Sequence, residues 1–347
     1  MADILEPKTM IQAIEQMPSA GAFLQETFFP NVETHNTRLI EVDVTKGGRR
    51  MAPYVSPVQE GKVIRKEGGK TSQIKLPYVK LKYDITAVES ARRQPGENPY
   101  SARTPGQRAQ SILGKRLLEG KRAVARTVEV QAAQALVHGK VICQGTDESE
   151  IDWSVELDFG RDPANTITLA AGDYWTAPGV NPLDDLRTWR IALFKTSGYR
   201  PDVVVMGTDV MNAFLSSASV QALLDNRRMA LGQVDMKPTK GTGATYIGAV
   251  EGLELYHYVD WYEDPLTGAL TEMIPANALV MGSREAANAV NYGAIVDLDF
   301  PGGPIERKIF PKTWADPDPS ILWLLLQSSP LATLAEPDST QVVYPVA

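Results

Sequence analysis

The run from Thr104 to Gly139 constrains the fold more than any other part of the chain. Thr104 followed by Pro105 is a helix start. The hydroxyl accepts from backbone N–H groups that the first turn leaves unpaired, and a proline at the first helical position lacks only a donor that would have no partner there. Gly139, just after His138, is a natural stop because glycine takes up left-handed backbone without a Cβ penalty. Between these ends Leu113, Leu117, Val124, Val128, Ala132 and Leu136 fall on one stripe, while Lys115, Arg116, Glu119, Lys121, Arg122 and Glu129 fall largely elsewhere. At 1.5 Å per residue the spacing predicts a helix roughly 50 Å long, well above the usual globular length. Such a helix is an architectural spine. The stripe is rich in alanine and valine and the helix carries Gly114 and Gly120, which argues against a coiled coil.

The segments before the spine are of two kinds. Residues 1–45 hold a short amphipathic start with Met10, Ile11, Ile14 and Met17 at helical spacing, then Phe23, Leu24, Phe28 and Phe29, and a strand from Arg38 to Val44. So short an apolar segment has little core of its own and should lie against the body or a neighbour. From Met51 to Tyr83 the pattern becomes a two-stranded arm with a break at Glu67-Gly68-Gly69-Lys70, where the glycine pair permits positive φ and reads as a hairpin tip. Residues 46–83 carry ten basic residues against two acids, a net charge of +8 in a chain whose formal charge is −7, so the remainder carries −15. A basic arm on an acidic body is self-complementary between copies; a solvated lysine-rich edge hairpin is the plainer alternative.

After the spine, Val141-Ile142 and Val155-Glu156-Leu157 suggest a second hairpin, and a Gly/Pro/Asn-rich stretch from Gly160 to Asn181 reads as a domain junction. Next comes a mixed α/β block: a helix over Pro182 to Ser197, a buried strand Val203 to Met206, a helix opening at Thr208-Asp209 and another near Val220 to Arg228. Strands follow at Leu253 to Val259, Ala278 to Met281 and Ile295 to Leu298. The last segment returns with Pro304 to Ile309 and a strand from Ile321 to Gln327.

Composition excludes several functions. An acidic chain with 35 Lys+Arg against 42 Asp+Glu is a poor phosphate binder. One cysteine, Cys143, rules out an internal disulfide framework and points to a reducing compartment. The longest strongly apolar run, Ile321 to Leu326, is far short of the roughly 20 residues that span a bilayer. Glu67 to Thr71 ends like a phosphate-binding loop but has Ile64 where that loop needs glycine, and Lys237 to Gly243 has the wrong residue order for one. His35, His138 and His257 form no zinc-binding spacing, and no Gly-x-Ser-x-Gly elbow occurs, which leaves a dispersed serine triad as the enzymatic rival. Asp316-Pro317-Asp318-Pro319 offers carboxylates without the ligand number a calcium site needs and reads as a solvated turn. No catalytic, metal or cofactor site is expected.

Several stretches, taken in order, resemble the lambda-type major capsid protein family, often called major capsid protein E. They are Met51-Ala52-Pro53-Tyr54-Val55-Ser56-Pro57, Gly61 to Arg65 with Gly68-Gly69-Lys70-Thr71-Ser72, and Pro77-Tyr78-Val79-Lys80. Further along come Gln131-Ala132-Ala133 with Leu136 and Gly139-Lys140, Val155 to Arg161, Pro311-Lys312-Thr313-Trp314, and Gln327 to Leu331 with Pro337-Asp338. None is a chemical signature; the specificity lies in the collinear set.

The resemblance implies an α+β, Hong Kong 97-type phage capsid fold. Its parts would be an N-terminal arm (1–45), an E-loop β-hairpin (46–85), a peripheral domain (86–182) with a spine helix (104–138), a mixed α/β axial domain (183–300) and a C-terminal return to the peripheral domain (301–347). It also implies a non-catalytic subunit of the icosahedral head shell of a tailed bacteriophage, with an encapsulin-like compartment as the alternative. The expected partners are copies of the same chain in hexamers and pentamers, a separate scaffolding protein, a portal protein, a trimeric decoration protein, and packaged double-stranded DNA held without sequence-specific contacts; no membrane is involved. The location would be the virion, after assembly in the host bacterial cytoplasm. The E-loop residues expected at the inter-subunit interface are Tyr54, Val63, Ile64, Arg65, Lys66, Gly68, Gly69, Lys70, Ile74 and Leu76. Lys66 and Lys70 could in principle join an isopeptide crosslink, but the lambda-type branch resembles the non-crosslinked kind.

Overall fold

The computed structural model describes residues 6–18, 21–44, 51–52, 54–55, 57, 60, 70–95, 97–98, 103–145, 154–225, 232–239, 242–298 and 303–347. Before the spine lie α1 (Pro7–Gln16), α2 (Phe23–Phe28), β1 (Asn31–Thr34), β2 (Leu39–Val44), β3 (Lys70–Lys75), β4 (Val79–Thr86) and α3 (Ala87–Ala91). The spine itself is α4 (Pro105–His138), 34 residues without interruption. Its first turn is closed by a reciprocal capping box: Thr104 Oγ1 accepts from Gln107 N at 3.3 Å, and Gln107 Oε1 accepts from Thr104 N at 3.0 Å. Gly139 ends it at φ 67°, and the Arg161 guanidinium donates to the Leu136 and Val137 carbonyls at 2.6 and 2.8 Å. A cation thus meets the negative end of the helix dipole and pairs two of the carbonyls the last turn leaves open.

Beyond the spine follow β5 (Lys140–Gln144), β6 (Ser154–Asp158), β7 (Thr166–Thr168), α5 (Pro182–Ser197), β8 (Val203–Met206), α6 (Thr208–Ser216), α7 (Ala218–Asp225), β9 (Gly232–Pro238) and β10 (Ala244–Val250). The chain finishes with β11 (Leu253–Tyr258), β12 (Trp261–Glu263), β13 (Leu270–Glu272), β14 (Leu279–Gly282), β15 (Ala289–Tyr292), β16 (Phe310–Asp316), β17 (Ile321–Ser328), β18 (Pro330–Thr333) and β19 (Thr340–Tyr344).

Three packed regions share the spine. At its N-terminal half an antiparallel sheet ordered β16-β17-β4 buries Leu324, Leu326 and Ile85 against Ile112, Leu113 and Leu117, with Met10 and Ile14 of α1 closing the cluster. Lys121 Nζ holds α1 there by donating to the Ile14 and Met17 carbonyls, each at 2.7 Å. Gly120 makes the close approach possible, because a Cβ at that position would lie 1.9 Å from Leu326 Cδ1. At the C-terminal half Val128, Ala132 and Leu136 pack on a three-stranded sheet ordered β1-β15-β18 and on one face of a mixed seven-stranded sheet ordered β7-β19-β14-β8-β11-β10-β9. The opposite face of that larger sheet carries α5 and α6, so β8 is buried on both sides: Val203 and Val205 face the spine, Val204 and Met206 face the helices. A continuous apolar run is what a doubly covered strand requires.

The structure departs from the sequence reading in four places. The strand read at Lys62 to Arg65 lies outside the described residues, while of the return half β3 pairs with β2 from Leu39↔Lys75 to Val44↔Lys70 and β4 joins β17. The segment read as a strand from Ile295 to Leu298 makes only an isolated bridge, Ile295 to Ile305, and Leu298 is fully exposed; the strand lies earlier, at β15. The C-terminal segment packs on the spine through β17 and β18 and also sends β19 into the seven-stranded sheet between β14 and β7, a pairing the sequence gives no sign of. Finally, Glu129 does not sit on the solvated side of the spine; it is buried at 3% exposure.

Candidate assembly surface

The β2–β3 ladder presents residues 45–69 as one excursion between two paired strands. Of the residues expected at an interface, Tyr54 is 94% exposed, with Met51 at 77% beside it in sequence. Val63, Ile64, Arg65, Lys66, Gly68 and Gly69 lie outside the described residues. Lys70 opens β3, its backbone paired with Val44. Ile74 and Leu76 are a correction: both are buried in this chain's own core together with Ile40, so their side chains are not available to a neighbour. Strand alternation explains it, since Gln73 and Lys75 take the exposed face while Ile74, and Leu76 just past the end of β3, turn inward. The same alternation leaves Leu39 60% exposed beside buried Ile40, an apolar surface residue that the sequence reading passed over.

The root of this excursion is tied down by polar contacts. Leu76 N donates to the Arg38 carbonyl at 2.9 Å, and Ser329 Oγ donates to the Pro77 carbonyl at 2.6 Å. Tyr78 OH donates to Gln327 Oε1 at 2.9 Å, Gln327 Nε2 donates to Asp297 Oδ2 at 3.1 Å, and Lys312 Nζ donates to Asp297 Oδ1 at 2.8 Å. Burial pushes the Tyr78 hydroxyl up to about 12 despite the nearby Arg38 guanidinium, so it remains a donor at any physiological pH. Two cations flank its ring, Arg38 at 5.1 Å and Lys80 at 5.2 Å from the centroid.

Behind the root, Glu129 joins three parts of the chain. Its carboxylate accepts from the backbone N–H of Leu24 at 2.7 Å and Gln25 at 3.0 Å, in the first turn of α2, and from Tyr258 OH at 3.0 Å. Burial raises the carboxyl to about 7, against the lowering effect of those three donors. Nearby, Gln131 ties the spine to β18: its Nε2 donates to the Pro330 carbonyl and its Oε1 accepts from Ala332 N, both at 3.2 Å.

Several polar groups elsewhere in the body have partners within the chain. His35 Nε2 contacts Asn291 Oδ1 at 2.8 Å and His257 Nε2 contacts Thr208 Oγ1 at 3.3 Å, so neither is seen with a serine. Burial raises the Cys143 thiol to about 11, the opposite of a reactive thiolate. Asp316 Oδ2 accepts from Trp323 Nε1 at 2.6 Å across the β16–β17 turn. Among the described residues no group of three or more His, Cys, Asp or Glu side chains is placed to hold a metal ion, and no helix is long and apolar enough to cross a membrane.

The family model for phage major capsid protein E matches residues 6–341, nearly the whole chain. The chain belongs to the phage major capsid protein E family. This is a structural family, not an enzyme family. Among relatives, the major capsid protein of Escherichia phage lambda is 29% identical over 335 residues, covering 95% of each chain. The major capsid protein of Enterobacteria phage P21 is 29% identical over 337 residues with the same coverage, and that of Escherichia phage N15 is 29% identical over 317 residues, covering 90% of each. The crystal structure of a prophage capsid protein from E. coli CFT073 superposes with a TM-score of 0.76 at 22% identity over 98% of this chain and 99% of that one. A phage-related protein from Bordetella bronchiseptica RB50 gives a TM-score of 0.55 at 12% identity over 99% and 98%. The chain therefore shares its α+β fold with that solved prophage protein along nearly its full length.

Proposed function

We propose that this chain is the head-shell subunit of a tailed bacteriophage, self-assembling in the Hong Kong 97-type manner into hexamers and pentamers of a closed icosahedral shell around packaged double-stranded DNA. The family match over residues 6–341 carries the reading. It favours a virion shell over an encapsulin-like compartment. In this reading residues 45–69 and the adjoining β2–β3 ladder are the E-loop, α4 with the β16-β17-β4 sheet is the peripheral domain, and the seven-stranded sheet with α5 and α6 is the axial domain. The +8 charge of residues 46–83 meets the acidic remainder of a neighbouring copy. Exposed ion pairs contribute only about 0–1 kcal/mol each, so repeated apolar burial by residues such as Tyr54, Val63 and Ile64 supplies most of the stabilisation. A separate scaffolding protein, a portal, a trimeric decoration protein and assembly in the host bacterial cytoplasm complete the reading.

The test is Arg65→Glu with Lys66→Glu. The expected result is a folded subunit that forms few or no particles; normal particle yield would refute the E-loop assignment.

A further inference from the structure

A closed ring of identical subunits needs a heterologous contact, in which one surface of each copy meets a different surface of the next. The α/β unit carries two apolar patches on opposite faces of its seven-stranded sheet. The first is the outer side of α5. Leu186, Trp189 and Leu193 point into the cluster with Val204 and Met206. On the solvent side Ile191 is 61% and Phe194 40% exposed, one helical turn apart. Residues 187–200 contain Arg187, Arg190, Lys195 and Arg200 and no acid. Arg187 pairs with Asp184 and Glu251, and with those two acids counted against the four cations the patch keeps a net charge of +2.

The second patch is the β12–β13 hairpin. Tyr262 and Met273 anchor it to the core on the spine side of the sheet, away from α5. The register pairs Trp261 with Glu272 and Glu263 with Leu270, so these four side chains share one face of the hairpin. All four are exposed, with Trp261 at 48% and Leu270 at 77%. Residues 260–283 contain four acids, Asp260, Glu263, Asp264 and Glu272, and no base.

One patch is apolar and basic, the other apolar and acidic, and they lie on opposite sides of one unit. We infer that the outer side of α5 on one copy seats against the β12–β13 hairpin face of the next copy, as the two halves of a heterologous contact that closes the capsomer ring. This contact is separate from the E-loop, and it rests on the shell-forming reading above. Isolated rim charges set register and partner choice, while Trp261, Leu270, Ile191 and Phe194 are the groups that lose water.

The test is a charge exchange read by particle yield. Glu263→Lys with Glu272→Lys, and separately Lys195→Glu with Arg200→Glu, each lower the yield of sedimentable particles by about ten-fold or more, because every copy of the contact in the shell is weakened at once. All four substitutions together restore most of it. Unchanged yield from both pairs, or a folded four-fold variant as defective as either pair, would overturn the inference. A second measurement does not depend on how those variants fold: particles of the chain carrying Ile191→Cys and Leu270→Cys, treated with a flexible bismaleimide, give a ladder of linked chains. Each single substitution gives none. Absence of a ladder from the pair overturns the contact; an unmodified chain that never forms particles overturns the shell reading, and the inference with it.

Discussion

The hydroxyl of Tyr258 donates to a carboxylate oxygen of Glu129 at 3.0 Å, linking β11 of the large sheet to the C-terminal half of the spine helix. The same carboxylate receives two backbone donors from α2, so a single side chain holds the N-terminal segment, the spine and the α/β unit together. Any movement of these parts against one another must stretch this joint or carry it along.

Removing the carboxylate should therefore be costly. Glu129→Ala leaves the Leu24 and Gln25 N–H groups and the Tyr258 hydroxyl buried without an acceptor, and should destabilise the subunit by about 3 kcal/mol. Denaturant unfolding of the unassembled subunit measures this; a loss below about 1 kcal/mol would mean that water or another group replaces the acceptor.

The joint also has a pH dependence of definite sign. The folded carboxyl titrates at about 7 against a usual 4.5, so between those values the folded chain keeps a proton that the unfolded chain has released. Its contribution to stability is full below pH 4.5 and falls as pH rises towards 7. Glu129→Gln cannot titrate. The stability difference between wild type and this variant should shift against wild type by about 3 kcal/mol from acid to mildly alkaline conditions. A constant difference across that range would contradict the burial of the charge.

Gly120 and Leu326 should behave as a coupled pair. A branched side chain at position 120 meets Leu326 and, at 3.4 Å from its Cβ, Tyr83 Cε2. Gly120→Val should cost about 1–3 kcal/mol through overpacking, and the cost should shrink when Leu326→Ala is added. Additive effects in that double-mutant cycle would show that the helix and β17 do not approach so closely.

Arg161 should control the end of the spine. Arg161→Ala frees the Leu136 and Val137 carbonyls and should destabilise the chain by about 1–3 kcal/mol, with faster amide hydrogen exchange in the last turns of α4. Exchange spread evenly along the helix would argue against a local cap.

Much of this architecture is legible in the sequence where its cause is local. The cap at Thr104, the stop at Gly139, the start of α5 at Pro182 and the apolar run of β8 each depend on neighbouring residues, and each lies where the pattern puts it. Features that depend on distant partners are not legible. Glu129 looks like a solvated helix residue because the groups that accept its burial are 105 and 129 positions away. The β2–β3 pairing is hidden because Arg38 to Val44 and the basic segment look like separate units, and β19 gives no sign that its neighbours are β14 and β7. On the assembly surface, strand alternation could have separated exposed Leu39 from buried Ile74 and Leu76, had the register with β2 been known.

The most direct test of the shell-forming account is negative-stain electron microscopy of the purified chain, with and without a co-expressed scaffolding protein. The account predicts closed polyhedra or flat sheets of hexamers. Monodisperse small oligomers under every condition would contradict it.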